Sequence, residues 1–102
     1  MIVVRFVLQA KSGKADDVVK NFQKNAEMMR RLTGTEGKVR LLTDLSGPFD
    51  TVVQEIELES LAEWEQVRAN IFSDPEFQAA QSEGESPVVS GRTEFYTLEA
   101  VI

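Results

Sequence analysis

The stretch GPFDTVVQEIELESLAEWE, residues 47–65, decides the fold, because it changes from the period of a strand to the period of a helix without a loop between them. From Gln54 to Leu58, neutral or apolar residues alternate with acidic ones, which is the two-residue repeat of a β-strand. Ser60 can then cap a helix, and Glu63, three residues later, can complete a capping box. The apolar stripe of that helix is Leu61, Trp64, Val67 and Ile71.

The N-terminal part of the chain predicts the same two elements in the same order. Residues 2–9, IVVRFVLQ, form a strand with one dry face, made by Val4, Phe6 and Leu8. Residues 12–34, SGKADDVVKNFQKNAEMMRRLTG, form one helix that stops at Gly34. Its apolar residues lie three and four positions apart: Val18, Val19, Phe22, Ala26 and Met29.

The remaining segments complete a βαββαβ order. Residues 38–58 contain two alternating runs around a Ser-Gly-Pro turn, which predicts an antiparallel hairpin with a loop of more than two residues. SDPEF, residues 73–77, predicts a short helix capped by Asp74; SEGESPVVSG, residues 82–91, predicts a polar loop; and RTEFYTLEAVI, residues 92–102, predicts the fourth strand. We therefore expect an α+β fold over residues 1–102: a single ferredoxin-like domain with a four-stranded antiparallel sheet and both helices on one face.

The composition excludes several classes of function. The chain has 102 residues, a net charge of -6, no cysteine and no histidine. Thiolate nucleophiles, disulfides and the commonest metal ligand and general base are absent, and alternating glutamates such as Glu55, Glu57, Glu83 and Glu85 lack the spacing of a calcium loop. The acidic charge argues against nucleic acid as a partner, and the apolar runs are too short for a membrane span or a signal peptide. We expect a cytoplasmic protein without metal or cofactor.

The alternating strand raises the question of what its glutamates do. The more apolar set, Val52, Gln54, Ile56 and Leu58, is expected to face the helices, so Glu55 and Glu57 would lie on the other face. In a ferredoxin-like sheet the neighbouring strands place Arg5, Lys38 and Arg40 nearby. These side chains predict either cross-strand ion pairs or a polar ligand site built from the same residues.

The face of the sheet away from the helices is the expected interaction surface. It carries Val3, Val7, Leu42 and Val53 among its charges, and an uncovered face with this much aliphatic surface usually contacts another molecule. The sequence therefore predicts that something covers this face.

Length, element order, the passage FDTVVQEIELESLAEWE, the break SDPEF and the closing strand GRTEFYTLEAVI together resemble the dimeric α/β-barrel superfamily, near its NIPSNAP-like and antibiotic-biosynthesis-monooxygenase-like members. The resemblance covers nearly the whole chain and rests on structural rather than catalytic motifs. It implies a homodimer that sets two open sheet faces together, with pockets between sheet and helices or inside the barrel. The dimer face would include Arg5, Val7, Arg40, Leu42 and Glu55.

The resemblance also suggests where a small apolar molecule would bind. The candidate pocket residues are Gln9, Gln54, Trp64, Phe72 and Tyr96. Gln54 is a polar residue on an apolar face, so it either bonds to the backbone or to the hydroxyl of Tyr96, or lines a ligand cavity with Trp64 and Tyr96. Trp64 either packs in the core or takes the place of the tryptophan of heme-degrading relatives. Those enzymes hold iron with a histidine, so heme degradation by that route is not expected.

Three function classes remain open. The first is a dimer that binds a small apolar or aromatic molecule, or has a structural role. The second is a cofactor-independent monooxygenase or isomerase, as the resemblance allows, because such enzymes depend mainly on the reactivity of the substrate and on an apolar pocket. The third is a protein-interaction module that uses the acidic helix surface ELESLAEWEQ, residues 57–66.

Overall fold

The computed structural model describes residues 1–34, 39–82 and 84–102. Its elements are the strands β1 (Ile2–Ala10), β2 (Val39–Thr43), β3 (Thr51–Leu58) and β4 (Val88–Thr97) and the helices α1 (Ala15–Lys24), α2 (Ala26–Thr33), α3 (Leu61–Ser73) and α4 (Pro75–Gln81). The strands form one antiparallel sheet in the order β2-β3-β1-β4. The predicted α+β, ferredoxin-like fold is confirmed.

The two faces of the sheet follow from the alternation of residues along β1 and β3. Val52, Gln54, Ile56 and Leu58 are buried, and each alternates with a partly exposed residue. In the register, Val4 pairs with Ile56, and Arg5 pairs with Glu55. Apolar residues of the two strands thus share the helix side, and charged residues share the open side. The predicted phase of β3 is confirmed.

The core between sheet and helices consists of two separate clusters. The larger includes Val4, Met28, Leu32, Ile56, Leu58, Trp64, Val67 and Ile71, and the smaller includes Ala10, Val18 and Val52. Helices α2 and α3 pack on the first cluster, whereas α1 packs on the second. Gln54 lies between the two clusters along β3, because Val52 belongs to one and Ile56 to the other.

The helix ends follow the predicted caps with one variation. Ser60 Oγ accepts a hydrogen bond from Glu63 N at 3.2 Å, but the Glu63 carboxylate accepts from the amide of Glu59 at 2.8 Å, one residue before the cap. Asp74 caps α4 through Phe77 N at 3.0 Å, and Pro75 is at its first position. Gly34 ends α2 at φ 62°, a left-handed conformation that favours glycine. The expected turn after Gly34 falls on residues 35–38, outside the described residues.

Two boundaries differ from the prediction. The single helix expected over residues 12–34 is divided at Asn25, whose φ of -99° and ψ of 13° depart from helical geometry, and Asn25 Nδ2 bonds to the carbonyl of Asn21 at 2.9 Å. The predicted loop over residues 82–91 is wrong for its last part, because β4 already begins at Val88 and pairs with β1 there. The strand ends at Thr97, whereas the sequence predicted that it would continue to residue 102.

The apolar stripe predicted for α3 is buried at three of its four positions. Trp64, Val67 and Ile71 are buried, whereas Leu61 of the same stripe is 57% exposed. No helix in the described ranges is long and apolar enough to cross a membrane. The predicted charge partner Lys38 and the candidate oxygen ligand Glu83 lie outside the described residues.

Candidate functional site

Gln54 is a buried polar residue in the centre of the helix side of the sheet. It is 6% exposed, and its strand neighbours are Leu41 on β2 and Phe6 on β1. Within the described residues, no hydrogen bond is made to its side-chain amide. In those residues the one sealed side-chain polar atom without a hydrogen bond is Arg5 Nε, so the Gln54 amide is not completely sealed from its surroundings. Buried amides are nearly always hydrogen-bonded, which makes this position unusual.

Three aromatic rings lie on the same side of the sheet as Gln54, and one of them, Phe6, is its cross-strand neighbour. The ring centroids of Phe6 and Trp64 are 5.5 Å apart, and those of Trp64 and Phe95 are 6.0 Å apart in an edge-to-face arrangement. Trp64 is 9% exposed, whereas Phe95, on the edge strand β4, is 48% exposed. The resulting aromatic row, Phe6, Trp64 and Phe95, extends from the centre of the sheet to an exposed edge. Its inner member, Phe6, is the ring next to Gln54.

On the open face, charged residues form a row across all four strands, which we call the charge row: Arg40, Glu55, Arg5 and Glu94. Each is the direct cross-strand partner of the next. Arg5 Nε lies 3.1 Å from Glu55 Oε1, although its N–H does not point at that oxygen, and Arg5 Nη1 lies 4.0 Å from Glu94 Oε1. Glu55 also accepts a hydrogen bond from Arg40. The cross-strand ion pairs predicted for Glu55 with Arg5 and Arg40 are therefore present.

The pKa of Glu94 lies below its usual range. The hydrogen bond from Arg92 Nε, at 2.9 Å, is the main cause, and the Tyr96 hydroxyl and the positive charges of Arg92 and Arg5 act in the same direction against partial burial. The carboxylate stays ionised at neutral pH. The end of the charge row on β4 therefore carries a negative charge at neutral pH.

Beside the charge row, the open face forms a broad concavity of about 890 Å³. Its floor is an aliphatic row of direct cross-strand neighbours, Leu42, Val53 and Val7, which ends at Arg92 on β4. The loop between β2 and β3 forms one wall through Leu45, Ser46 and Pro48. Val7 is 9% exposed, whereas Leu42 is 42% exposed.

Gln9 lines this concavity rather than the helix side, and its amide is already bonded to the protein. Gln9 Nε2 donates to the carbonyl of Phe49 at 2.7 Å. Asp44 Oδ1 accepts from Thr51 N at 2.9 Å, and Asp50 Oδ2 accepts from Gly13 N at 3.1 Å. These bonds fix the loop that carries Leu45, which is 101% exposed, and Phe49, which is 83% exposed. In this structure Gln9 positions that loop.

The five predicted pocket residues do not meet in one place. Tyr96 pairs with Val3 and therefore lies on the open face, where its ring is 6.0 Å from the Arg5 guanidinium, so it cannot bond to Gln54. Phe72 points outward on α3, 58% exposed, and contacts Phe77 and Arg68. The expected cavity of Gln54, Trp64 and Tyr96 is thus wrong in including Tyr96. Gln54 and Trp64 share the helix side, and Gln9 and Tyr96 share the open side.

The sequence predictions missed Phe95 as a site residue. In the sequence TEFYT, residues 93–97, Phe95 and Tyr96 are both aromatic, so alternation alone does not say which one faces the helices. The register assigns the face, because Phe95 pairs with the buried Val4. Within the described residues there is no group of three or more Asp and Glu side chains arranged to hold a metal ion.

Comparisons with known proteins agree with the fold. No protein-family model and no curated protein matches the chain. Among solved structures, a NIPSNAP domain protein from Burkholderia xenovorans superposes with a TM-score of 0.81 at 20% identity, covering 100% of this chain and 98% of that one. A proposed antibiotic biosynthesis monooxygenase from Deinococcus radiodurans gives a TM-score of 0.66 at 16% identity, covering 100% and 96%.

A third similar structure is a ligand complex. MhuD from Mycobacterium tuberculosis, a heme degrader with two hemes bound in its active site, superposes with a TM-score of 0.70 at 13% identity, covering 100% of this chain and 99% of that one. These identities are too low to carry an activity from one protein to another. The chain has the ferredoxin-like fold that NIPSNAP-family and antibiotic-biosynthesis-monooxygenase-like proteins share.

Proposed function

We propose that the protein is a homodimer that binds a small aromatic or apolar molecule with one polar group, in a site formed by Gln54 and the aromatic row. The single observation that supports this most is the amide of Gln54, buried beside aromatic rings without a hydrogen-bond partner in the described residues. A ligand hydroxyl or carbonyl would supply that partner.

The free energy of the buried amide gives the first reason. Burying an amide without a hydrogen bond costs about 1–3 kcal/mol by mutational measurements in proteins. Gln54 lies between two apolar clusters, where an apolar residue would avoid that cost. A residue that lowers stability in this way is common at binding sites, where a ligand completes its hydrogen bonds.

The aromatic row gives the second reason. Phe6 and Trp64 are central, whereas Phe95 is about half exposed on the edge strand, so a planar molecule could enter at β4 and stack toward Trp64. Stacked or edge-to-face aromatic contacts contribute about 0.5–1.5 kcal/mol beyond the burial of area. Binding sites of this kind usually combine apolar walls with a few polar groups that set orientation.

The open face supports the assembly part of the proposal. Leu42, Val53 and Val7 form a continuous aliphatic row on a sheet face that no helix of the described residues covers. Such a face is expected to be covered by another surface. The similar structures come from proteins that share this fold, and a MhuD structure holds two hemes in its active site; both facts are compatible with ligand binding here.

A fluorescence titration with 1-naphthol, a planar probe with a single hydroxyl, tests the binding site. Trp64 is the only tryptophan, so its emission reports on the proposed site. We expect saturable quenching, about tenfold weaker in Gln54→Leu because one hydrogen bond of about 1.4 kcal/mol is lost. Tyr96→Phe, which alters the open face, is the matched control and should bind like the wild type. Equal affinity of Gln54→Leu and the wild type, or no saturable quenching, would contradict the proposed site.

A further inference from the structure

The outer edge of β4 is long and unprotected. β4 is the longest strand of the sheet, with 10 residues, and it pairs only with β1, so within the described residues its other edge has no strand partner. The strand contains neither proline nor lysine, two residues that commonly protect a sheet edge. An edge of this kind is a template for a further strand.

Helix α3 carries a second exposed feature, which we call the outer flank: Leu61, Glu65, Arg68 and Phe72. These residues lie four, three and four positions apart, so they share one side of the helix. The two end residues are large, apolar and more than half exposed. Glu65 and Arg68 between them are exposed, and neither makes an ion pair within the described residues.

The outer flank lies on the side of α3 toward the free edge of β4. Leu61 and Arg68 are three and four positions from Trp64, so they adjoin that ring on the helix surface. The Trp64 ring contacts Phe95, which is on the edge strand. The outer flank and the free edge of β4 therefore form one continuous surface at this end of the sheet.

The outer flank is complementary to itself. A second α3 that runs antiparallel beside the first places Leu61 of one copy against Phe72 of the second copy, and Glu65 against Arg68. The two exposed apolar ends then cover each other. The two charges that lack an ion pair within the chain also gain one between the chains.

β4 is complementary to itself in the same way. When two identical strands pair antiparallel, opposed residues share a face, so the twofold axis passes beside one residue that faces its own copy. With Thr93 at that point, Arg92 lies opposite Glu94 of the second copy, and residues 89–97 all have partners. An axis beside Arg92 or Glu94 would oppose like charges, which destabilises a strand pair.

The glycine of β4 also fits this register. Gly91 then lies opposite Phe95 of the second copy, and an aromatic ring across from a glycine covers its exposed backbone. A side chain at position 91 would require Leu8 to shift, because an added Cβ would lie 2.9 Å from Leu8 Cδ2. The ring of the second copy covers this position without that conflict.

One axis serves the strand and the helix together. β3 and β4 are both antiparallel to β1, so α3, which connects them, runs opposite to β4. Trp64 lies just before the middle of the outer flank, and its contact Phe95 lies just beyond Thr93. The midpoints of the two elements are therefore close together, and an axis perpendicular to the sheet beside Thr93 also passes near the middle of the outer flank.

We infer that a second copy docks on the edge formed by β4 and the outer flank of α3, about this axis, so that one sheet continues across two chains. The contact does not use the open face, so in combination with the homodimer proposed above it gives a tetramer. One strand and one helix from each copy make a small interface, and small interfaces associate weakly. The tetramer therefore forms at higher protein concentration than the dimer.

A cysteine at the axis tests the register. The chain has no cysteine, and Thr93 is exposed, so Thr93→Cys introduces a single accessible thiol. Opposed residues of a strand pair have Cα atoms about 4.5–5.5 Å apart, a separation that a disulfide spans. Mild oxidation of the concentrated protein should link two Thr93→Cys chains. Ser90→Cys, exposed on the same strand but away from the axis, is the matched control and should stay unlinked. Equal linkage of both variants, or of neither, would overturn the inference.

Charge variants test the contribution of the outer flank. Glu65→Arg opposes two arginines at each contact and should weaken tetramer formation roughly tenfold in sedimentation equilibrium. Adding Arg68→Glu to it exchanges the two charges and should restore the tetramer. Both positions are exposed, so the fold should not change. A tetramer that is insensitive to Glu65→Arg, or that the exchange does not restore, would contradict the proposed helix contact.

The edge contact and the open-face homodimer can fail separately. Val53→Lys changes the open face alone, so Thr93→Cys should still form linked pairs in that background at high concentration. Loss of the linkage there would overturn the inference that the edge associates independently. A wild-type protein that stays dimeric at high concentration, with Thr93→Cys unlinked, would overturn the edge contact and leave the open-face homodimer intact.

Discussion

Arg5 and Glu55 are direct cross-strand partners on the open face of the sheet, with Arg5 Nε 3.1 Å from Glu55 Oε1. Glu55 is also bonded to Arg40, and Arg5 lies near Glu94, so the charges of this face are paired before any second molecule arrives. A face whose charges are already paired costs less to bury than one that carries unpaired charges. This pairing is compatible with the proposed use of the open face as an interface.

The aliphatic row should be sensitive to a single charge. Val53→Lys would bury two unpaired ammonium groups in each dimer, and each costs several kcal/mol. We expect dimer affinity to fall by roughly a hundredfold or more, measured by sedimentation equilibrium. Leu61→Lys, at an exposed position of α3, is the matched control and should leave the dimer unchanged. Equal association of the two variants would argue against the open face as the interface.

Gln54→Leu should not destabilise the free protein. The substitution removes a buried amide that lacks a hydrogen bond in the described residues and keeps a similar volume, so unfolding free energy should be equal or higher by about 1–2 kcal/mol. Urea unfolding in the absence of ligand measures this difference. A loss of stability would mean that the amide is satisfied within the protein, and the argument for a ligand would lose its basis.

Trp64→Ala should reduce the free energy of unfolding by about 3–5 kcal/mol, because the ring is buried and contacts both Phe6 and Phe95. That loss is a large part of the stability of a domain of this size. Phe72→Ala on the same helix serves as the comparison, since this ring is 58% exposed, and it should cost about 1 kcal/mol or less. Similar losses for both variants would contradict the assignment of Trp64 to the core.

Ser60→Ala should lower stability through the start of α3. The Ser60 hydroxyl accepts the hydrogen bond of Glu63 N, and loss of such a cap costs about 1 kcal/mol. Thermal and urea unfolding measure the change. Ser73→Ala, which removes an exposed hydroxyl near the other end of the helix, should have a smaller effect. If Ser73→Ala were the more damaging substitution, the capping assignment would be wrong.

The stability contributed by the contact between α2 and α4 should depend on pH. The hydrogen bond from Arg31 holds the pKa of Asp74 below its usual range, and the bond from the amide of Phe77 adds to this. A lowered carboxyl pKa contributes stability that is present above the unfolded-state pKa and is lost as the pH falls through the folded-state pKa. Arg31→Gln should therefore lower the Tm at neutral pH and approach the wild type at about pH 2.

Arg30→Gln is the control for that measurement, because Arg30 pairs with Glu27, whose side chain is 94% exposed, and such pairs contribute little. Its Tm should follow that of the wild type across the pH range. A constant difference between Arg31→Gln and the wild type at all pH values would mean that the Asp74 carboxylate is not the partner that matters.

The sequence alone predicted which face of a strand meets the helices where one of the strand's two alternating sets of residues was clearly more apolar. In β3 the glutamates at every second position determined which face meets the helices, and the pairing of Glu55 with Arg5 followed from the sheet order. In β4 the adjacent Phe95 and Tyr96 left both phases open, so Tyr96 was placed on the wrong side. The pattern of α1 and α2 also continued across Asn25, because local side-chain hydrogen bonding, rather than a loss of apolar periodicity, divides the helix there.

Native mass spectrometry of the protein purified gently from its own host tests the central claim most directly. We expect a dimer mass that carries a small adduct, and the share of dimers that carry it should fall in Gln54→Leu while the dimer remains. A monomer at micromolar concentration would contradict the proposed assembly, and a dimer whose adduct is unaffected by Gln54→Leu would contradict the proposed binding site.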